Sequence, residues 1–195
     1  MAKRIAVFDF DGTIYKGDSF IDFAIFCRGK SRLFFSIISN ILSLIKWKTD
    51  IIDNGKAKEN LFGSLFRNYD YKSFLNSADK FTKIIESKLN NDTYTKLLNH
   101  LKSGDKVFIV TASPAEWILP WANKNNITMV IGTKLEINNE VLTGRFSSAN
   151  CYGKEKLRRF LEQEPIRDEY ELYCYGDSKG DKELMEISDY PQWIN

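Results

Sequence analysis

The chain has a single histidine, His100, among its 195 residues. A two-histidine metal site is therefore impossible. A Ser-His-Asp triad would have to rest on one side chain in the polar helical run LLNHLKSG, where an ordinary helix residue is the expectation. Cysteine is scarce too: Cys27, Cys151 and Cys174 are odd in number and widely spaced, with no CxxC pair. A zinc knuckle or redox pair is excluded, and free thiols in a reducing cytoplasm are expected. Charge of one sign is lacking, with 28 Lys+Arg against 26 Asp+Glu, so nothing demands a nucleic-acid partner. Long apolar runs are missing as well. The opening MAKRIAVFDFDG has too few apolar residues before its acidic pair to be a secretory signal. The most apolar stretch, 33–47 (LFFSIISNILSLIKW), is uncharged only from Leu33 to Ile45 and is interrupted by Ser36, Ser39, Asn40 and Ser43. A transmembrane helix needs about 18 or more apolar residues, so no spanning segment is expected.

What is present is a globular composition. Hydrophobic residues make 43% and charged residues 28%, which excludes disordered and fibrous classes. The length suits one domain, or one domain with a sizeable insertion. Aromatic residues are abundant at 14%. Short apolar runs at Arg4–Phe10, Asp105–Val110, Met129–Ile131 and Glu171–Tyr175 read as buried strands. Helical patterns lie between them at Asp92–Leu101, Pro114–Lys124 and Lys154–Glu162, and alternation of this kind predicts a parallel α/β sheet. Glu136–Phe146 reads as a β-hairpin turning at Asn138-Asn139, and DYPQWIN reads as a final strand. From Tyr15 to Asn91 there is only helical pattern, including Phe34, Ile37, Ile38, Ile41, Leu42 and Ile45 at i, i+3, i+4 spacing. These residues predict a helical insertion packed above the sheet.

Active sites of α/β sheets form at the carboxyl ends of the strands. Here those ends carry Asp9-Phe10-Asp11-Gly12-Thr13, Thr111-Ala112-Ser113 and Gly176-Asp177-Ser178 with Asp181 beyond, while Lys154 and Lys156 start a preceding helix. Asp9 and Asp11 are two apart, so on a strand both would face one side and repel. A divalent cation removes that cost, and hard oxygen ligands with few protein contacts suit Mg²⁺. Asp177 supplies a further carboxylate, and Thr111 with a lysine can hold phosphate oxygens.

DFDGT at 9–13, an apolar strand ending in Thr111, a helix-borne lysine and GDSKGD at 176–181 together resemble the haloacid dehalogenase (HAD) superfamily. The insertion after DFDGT resembles the helical C1-type cap of the phosphoserine-phosphatase-like branch, subfamily IB. The resemblance implies a Rossmann-like parallel sheet flanked by helices, with 1–14 and 92–195 as core and 15–91 as cap. It also implies a Mg²⁺-dependent phosphatase acting on a small phosphorylated metabolite. Asp9 then matches the nucleophile that forms an aspartyl-phosphate, and Asp11 the general acid and base. Asp9, Asp177 and the backbone carbonyl of Asp11 match the metal ligands. Thr111 and the N–H of Ala112 match the phosphate-binding groups, and Asp181 supports the metal or the lysine. Two lysines compete for one place: a GxxK pattern favours Lys156, with Lys154 as the alternative. The presence of Asp11 favours phosphoryl transfer over dehalogenation, since a halide needs no proton. Phosphonate cleavage would need a Schiff-base lysine in the cap; Lys16 and Lys56 lie there, and nothing marks them out.

Other readings stand beside these. Ser113 either caps a helix from Pro114 or touches phosphate, and Ser178 is a turn residue on the plainer reading. Asp18 either reads a substrate amine or caps a helix. The apolar 33–47 stretch is expected in the core of the cap; the sharper alternative is a greasy face that meets lipid, a partner or a substrate tail. Transfer of the phosphoryl group to another acceptor, and a non-catalytic phospho-ligand-binding module, are the competing functions.

Overall fold

The structure, a computed structural model, describes residues 3–49 and 51–194. Residues 1, 2, 50 and 195, which fall within the expected core, insertion and final strand, lie outside the described residues. The first buried run forms β1 (Lys3–Phe8). Next come α1 (Ser19–Arg28), α2 (Lys30–Ser39), α3 (Ile41–Lys48), α4 (Asn54–Phe66), a two-residue strand β2 (Tyr69–Asp70) and α5 (Tyr71–Ser87). The chain continues through α6 (Asn91–Lys102), β3 (Lys106–Pro114), α7 (Leu119–Lys124), β4 (Met129–Thr133) and the hairpin β5 (Leu135–Asn138) and β6 (Val141–Phe146). It closes with α8 (Lys154–Gln163), β7 (Tyr170–Gly176), α9 (Lys182–Glu186) and β8 (Tyr190–Trp193).

Five strands form a parallel sheet in the order β4-β3-β1-β7-β8, the Rossmann-like arrangement expected. The period-2 alternation of β1 divides the core. Ala6 and Phe8 join one cluster with Leu97 of α6 and Ile109 of β3, whereas Ile5 and Val7 join the other with Phe160 of α8 and Leu184 of α9. Helices therefore cover both faces, and the run of buried residues in β1 follows from that.

Several local expectations are corrected. β1 ends at Phe8 because the chain turns just after it: Thr13 and Tyr15 both donate their N–H to the Phe10 carbonyl. The 15–91 stretch is not purely helical, since Tyr69 and Asp70 pair antiparallel with Leu142 and Val141. The hairpin turns at Asn139-Glu140, one residue later than expected. Both residues have positive φ, as a two-residue primed turn requires. The helix expected over Pro114–Lys124 is split, because β3 runs on through Pro114 and a single 3-10 turn (Ala115–Trp117) precedes α7. The apolar helix expected across 33–47 is broken at Asn40 into α2 and α3.

The aromatic residues now have places. Phe20, Phe23, Phe62, Phe66, Phe74 and Phe81, from α1, α4 and α5, are fully or almost fully buried. Phe23 stacks on Trp117 with ring centroids 4.9 Å apart, and Trp121 packs edge-on to Phe10 at 5.7 Å. Among the described residues, the rings from this stretch and one face of the sheet form a single cluster. The expectation for 33–47 is overturned: α2 buries only Leu33 and Ser36, and Phe34, Phe35, Ile38, Ile41, Leu42, Ile45 and Trp47 are exposed.

Candidate active site

The carboxyl ends of β1, β3 and β7 converge on a cavity of about 490 Å³. Asp9 follows β1 and is held by its N–H donating to the Tyr175 carbonyl, 2.8 Å. Its side chain is buried, and the Lys156 ammonium lies 2.7 Å from its Oδ1. The same ammonium lies 2.6 Å from Asp181 Oδ1. Lys156 is the inward lysine of α8 and Lys154 is exposed, as their two-residue spacing on a helix demands. Burial alone would depress Lys156, but Asp9 and Asp181 outweigh it and hold the ammonium charged. Burial is also the main force on Asp9, pushing it up to about 7; Lys156 pulls it down, while Asp181 and Asp11 add to the rise.

Asp11 is fixed from two sides. Ser113 Oγ donates to its Oδ2 at 2.6 Å, and the Ser19 N–H donates to its Oδ1 at 2.7 Å. Ser113 is thus neither a helix cap nor placed toward phosphate by its hydroxyl: it faces the second aspartate. Thr111 is fully buried and lines the cavity beside Ala112. Its Oγ1 accepts the Ser113 N–H at 3.1 Å, which ties the strand end into a tight loop.

Asp177 stands at the exposed rim, where Thr13 Oγ1 approaches its Oδ1 at 3.4 Å. Two glycines make this crowding possible. Gly12, at φ +75°, passes so close that a Cβ there would lie 2.1 Å from Asp177 Oδ2. A Cβ on Gly176 would lie 2.5 Å from Asp181 Cγ. Ser178 and Asp181 form a reciprocal capping box, in which Asp181 Oδ2 accepts the Ser178 N–H at 3.1 Å and Ser178 Oγ accepts the Gly180 N–H at 3.2 Å. Ser178 is therefore a cap that aims Asp181.

One carboxylate oxygen each of Asp9, Asp177 and Asp181 lie within 4.8 Å of one another. The acidic cluster includes Asp181 and not the Asp11 side chain, whose two oxygens take the Ser113 hydroxyl and the Ser19 N–H; the Asp11 group expected to meet an ion is its backbone carbonyl. A donor set of hard oxygens at this spacing fits a cation such as Mg²⁺. Lys156 claims one oxygen of Asp9 and one of Asp181, which leaves Asp177 and the other Asp9 oxygen most open to an ion.

From the insertion, Asp18 lines the cavity and caps α1, its Oδ1 accepting the Ile21 N–H at 3.2 Å, so both readings of that residue are compatible with its position. Sequence reasoning missed Lys58. This α4 lysine reaches the site and donates to the Ala112 carbonyl at 3.1 Å. Burial depresses its ammonium, opposed by Asp11, Asp18 and Asp9. No motif in the sequence marks it; only the packing of α4 against the sheet edge, which also brings Asn54 one turn earlier to the cavity, places it there. His100 lies outside this site. It is a residue of α6 that bridges Asp105, 2.7 Å from Nδ1, and the Tyr175 hydroxyl, 2.9 Å from Nε2, in a packed network. The three cysteines are unpaired, and no described helix is long and apolar enough to cross a membrane.

Several known proteins are similar to this chain in sequence or in fold. The chain is 30% identical over 188 residues to Protein CicA of Caulobacter vibrioides, covering 95% of this chain and 83% of that protein. Among solved structures, a protein of unknown function from Bordetella pertussis Tohama I superposes with a TM-score of 0.77 at 21% identity, covering 98% of this chain and 89% of the other. A phosphoserine phosphatase in apo form does so at 0.65 and 13% identity, covering 97% and 84%. A phospho-aspartyl intermediate analogue of phosphoserine phosphatase does so at 0.66 and 13%, covering 98% and 86%. These structural likenesses are likenesses of fold. The family model for haloacid dehalogenase-like hydrolases matches residues 6–186, nearly the whole chain. This chain belongs to the haloacid dehalogenase-like hydrolase family.

Proposed function

We propose that the protein is a Mg²⁺-dependent phosphatase of small phosphorylated metabolites, working through an aspartyl-phosphate on Asp9. The observation that carries this reading is the setting of Asp9: a buried carboxylate with Lys156 on one oxygen, the other side open to the cavity, and Asp11 held beside it by Ser113 and Ser19. The fold neighbour described as a phospho-aspartyl intermediate analogue supports it.

In this reading Thr111 and the Ala112 N–H seat the phosphoryl oxygens, with Lys156 neutralising part of their charge. An Asp9 oxygen attacks phosphorus, and the bond to the leaving oxygen breaks as Asp11 delivers its proton there. Water then attacks the same phosphorus and gives a proton to Asp11, and the bond to Asp9 breaks to release inorganic phosphate. Asp9, Asp177 and the Asp11 carbonyl are the groups that would hold Mg²⁺, which when bound supplies charge stabilisation to the phosphoryl oxygens. Asp181 positions Lys156 through the 2.6 Å contact. Residues 15–91 act as the cap that excludes water and selects substrate. Asp18 and Lys58 put opposite charges at its inner side, which suits a substrate carrying an amine and an anionic group beside the phosphate. A cytoplasmic location accords with three unpaired thiols.

A screen of phosphorylated metabolites with Mg²⁺ tests the reading, with Asp9→Asn as the blank. Phosphate release that falls at least about 10³-fold in the variant is expected. Turnover that survives the substitution refutes the nucleophile, and transfer of label to an added alcohol in place of water redirects the reading to a phosphotransferase.

A further inference from the structure

Helices α2 and α3 present an apolar surface that none of the described residues covers. Phe34 is 60% exposed, Phe35 66%, Leu42 70% and Ile51, just beyond α3, 69%. Large apolar residues exposed together mark an interaction surface more often than scattered single ones do.

The charges around this surface indicate what it meets. From Phe23 to Thr49 the chain has no Asp or Glu, yet it carries Arg28, Lys30, Arg32, Lys46 and Lys48, in a protein whose net charge is only +2. The cations are not mixed into the apolar run. Lys30 and Arg32 precede it at the start of α2, and Lys46 and Lys48 follow it at the end of α3, beside Trp47. Next to it lies an open groove of about 660 Å³ between α2, α4 and β6, lined by Arg32, Lys56, Arg67 and Arg145. The one acidic residue in that groove, Glu59, is occupied by Lys56 at 2.7 Å and by the Phe146 N–H at 3.0 Å. An apolar strip with cationic ends and a basic groove at its flank is complementary to hydrocarbon under a layer of phosphate. A second protein would need matching acids and a matching apolar patch at once.

We propose that α2 and α3 form a peripheral membrane-docking surface that lies on an anionic phospholipid bilayer. Phe34, Phe35, Leu42 and Trp47 enter the headgroup boundary, and the flanking lysines and arginines meet lipid phosphates. Long cationic side chains can keep their heads at that layer while their stems lie along the apolar strip. The helices have 10 and 8 residues, far too short to span, so they rest in the plane of the interface. The surface is separate from the catalytic cavity: α4 turns Asn54 and Lys58 toward the cavity and Lys56 and Asn60 toward the groove.

Co-sedimentation of the full chain with two kinds of vesicle tests this: phosphatidylcholine alone, and phosphatidylcholine with about one third phosphatidylglycerol. Binding at least about tenfold tighter to the anionic vesicles, weakened by salt, is expected. Combined Phe34→Ser, Phe35→Ser and Leu42→Ser should reduce it at least about tenfold. Lys30→Gln, Arg32→Gln, Lys46→Gln and Lys48→Gln together should abolish the preference for the anionic vesicles. Vesicle addition should shift tryptophan emission to the blue, and Trp47→Phe should remove most of that shift. Hydrolysis of a soluble phosphate ester, or the far-ultraviolet circular dichroism if no ester is turned over, should be unchanged in all these variants. Equal sedimentation with and without vesicles overturns the proposal. So does a concentration-dependent dimer that the Phe34→Ser, Phe35→Ser, Leu42→Ser variant converts to monomer without any vesicle binding by the wild type.

Discussion

The carboxyl edge of the parallel sheet and helices α2 and α3 invert the usual inside-out order in opposite senses. At the sheet edge, charge is buried: Asp9, Lys156 and Asp181 are each at least 90% hidden from solvent. On α2 and α3, hydrocarbon is exposed. Burying charge requires compensation within the molecule, and Lys156 supplies it by meeting two carboxylates at once. Exposing hydrocarbon requires none internally, because the cost falls on the surrounding water. The two places differ accordingly in what a substitution should do: the first resists change and the second tolerates it.

The largest effect should come from Lys156→Met. It leaves Asp9 and Asp181 facing each other without their cation, and about 3–5 kcal/mol of stability should be lost in urea unfolding. Lys154→Met, at the exposed neighbour, should cost within about 0.5 kcal/mol. Equal costs would show that the ammonium is not the keystone of the edge.

Next come the rings. Phe74→Ala empties a site walled by Phe23, Phe62 and Phe66 and should cost about 3–5 kcal/mol. Phe35→Ala on α2 should cost about 0.5 kcal/mol or less by the same measurement. A large cost at Phe35 would mean that α2 is packed in solution, and the contrast between inner and outer helices would fall.

Ser113→Ala removes the hydroxyl that fixes Asp11. About 1.4 kcal/mol, a tenfold loss in kcat with a smaller change in KM, is expected from steady-state kinetics. A change confined to KM would move Ser113 from the proton-transfer step to substrate binding.

The smallest effect concerns metal and pH. Asp9 is raised by burial from an ordinary value near 3.8 to about 7. Between those values the metal-free folded protein holds a proton that the unfolded chain has released. Its stability therefore falls as pH rises through this window and levels off above it. Mg²⁺ must displace that proton below about 7 and need not above it. Added Mg²⁺ should raise Tm by about 3 °C near pH 8 and by less near pH 5, followed by differential scanning fluorimetry. A larger rise at the lower pH would contradict the assignment of Asp9 to the ion.

The strand positions were legible because each strand is a short β-branched or aromatic run closed by a turn signal, and a parallel sheet buried on both sides produces that pattern. The placement of Asp9, Asp11, Thr111, Asp177 and Asp181 near one another follows from their positions at strand ends. Finer geometry was not legible. Local chemistry favours Asn138-Asn139, since asparagine tolerates positive φ better than glutamate; the hairpin register Asn138↔Val141, with β6 also paired to Tyr69 and Asp70 far back in the chain, places the turn at Asn139-Glu140. Ser113 looked like a cap because Pro114 favours the first turn of a helix. In the folded chain β3 continues through that proline at the edge of its ladder, and the hydroxyl goes to Asp11 across a separation of 102 residues.

The sequence by itself determined the α/β class, the helical character of the stretch after β1 and the set of acidic groups at the sheet edge. All of these depend on local spacing and side-chain type. Tertiary structure decided which lysine turns inward, that Lys58 reaches the Ala112 carbonyl, and that rings from the insertion share one cluster with the sheet. It also decided that the most apolar segment of the chain faces outward. Periodicity describes which residues share a face of a helix; only the packing of α2 and α3 against α4 determines which face is left over, and here it is the greasy one.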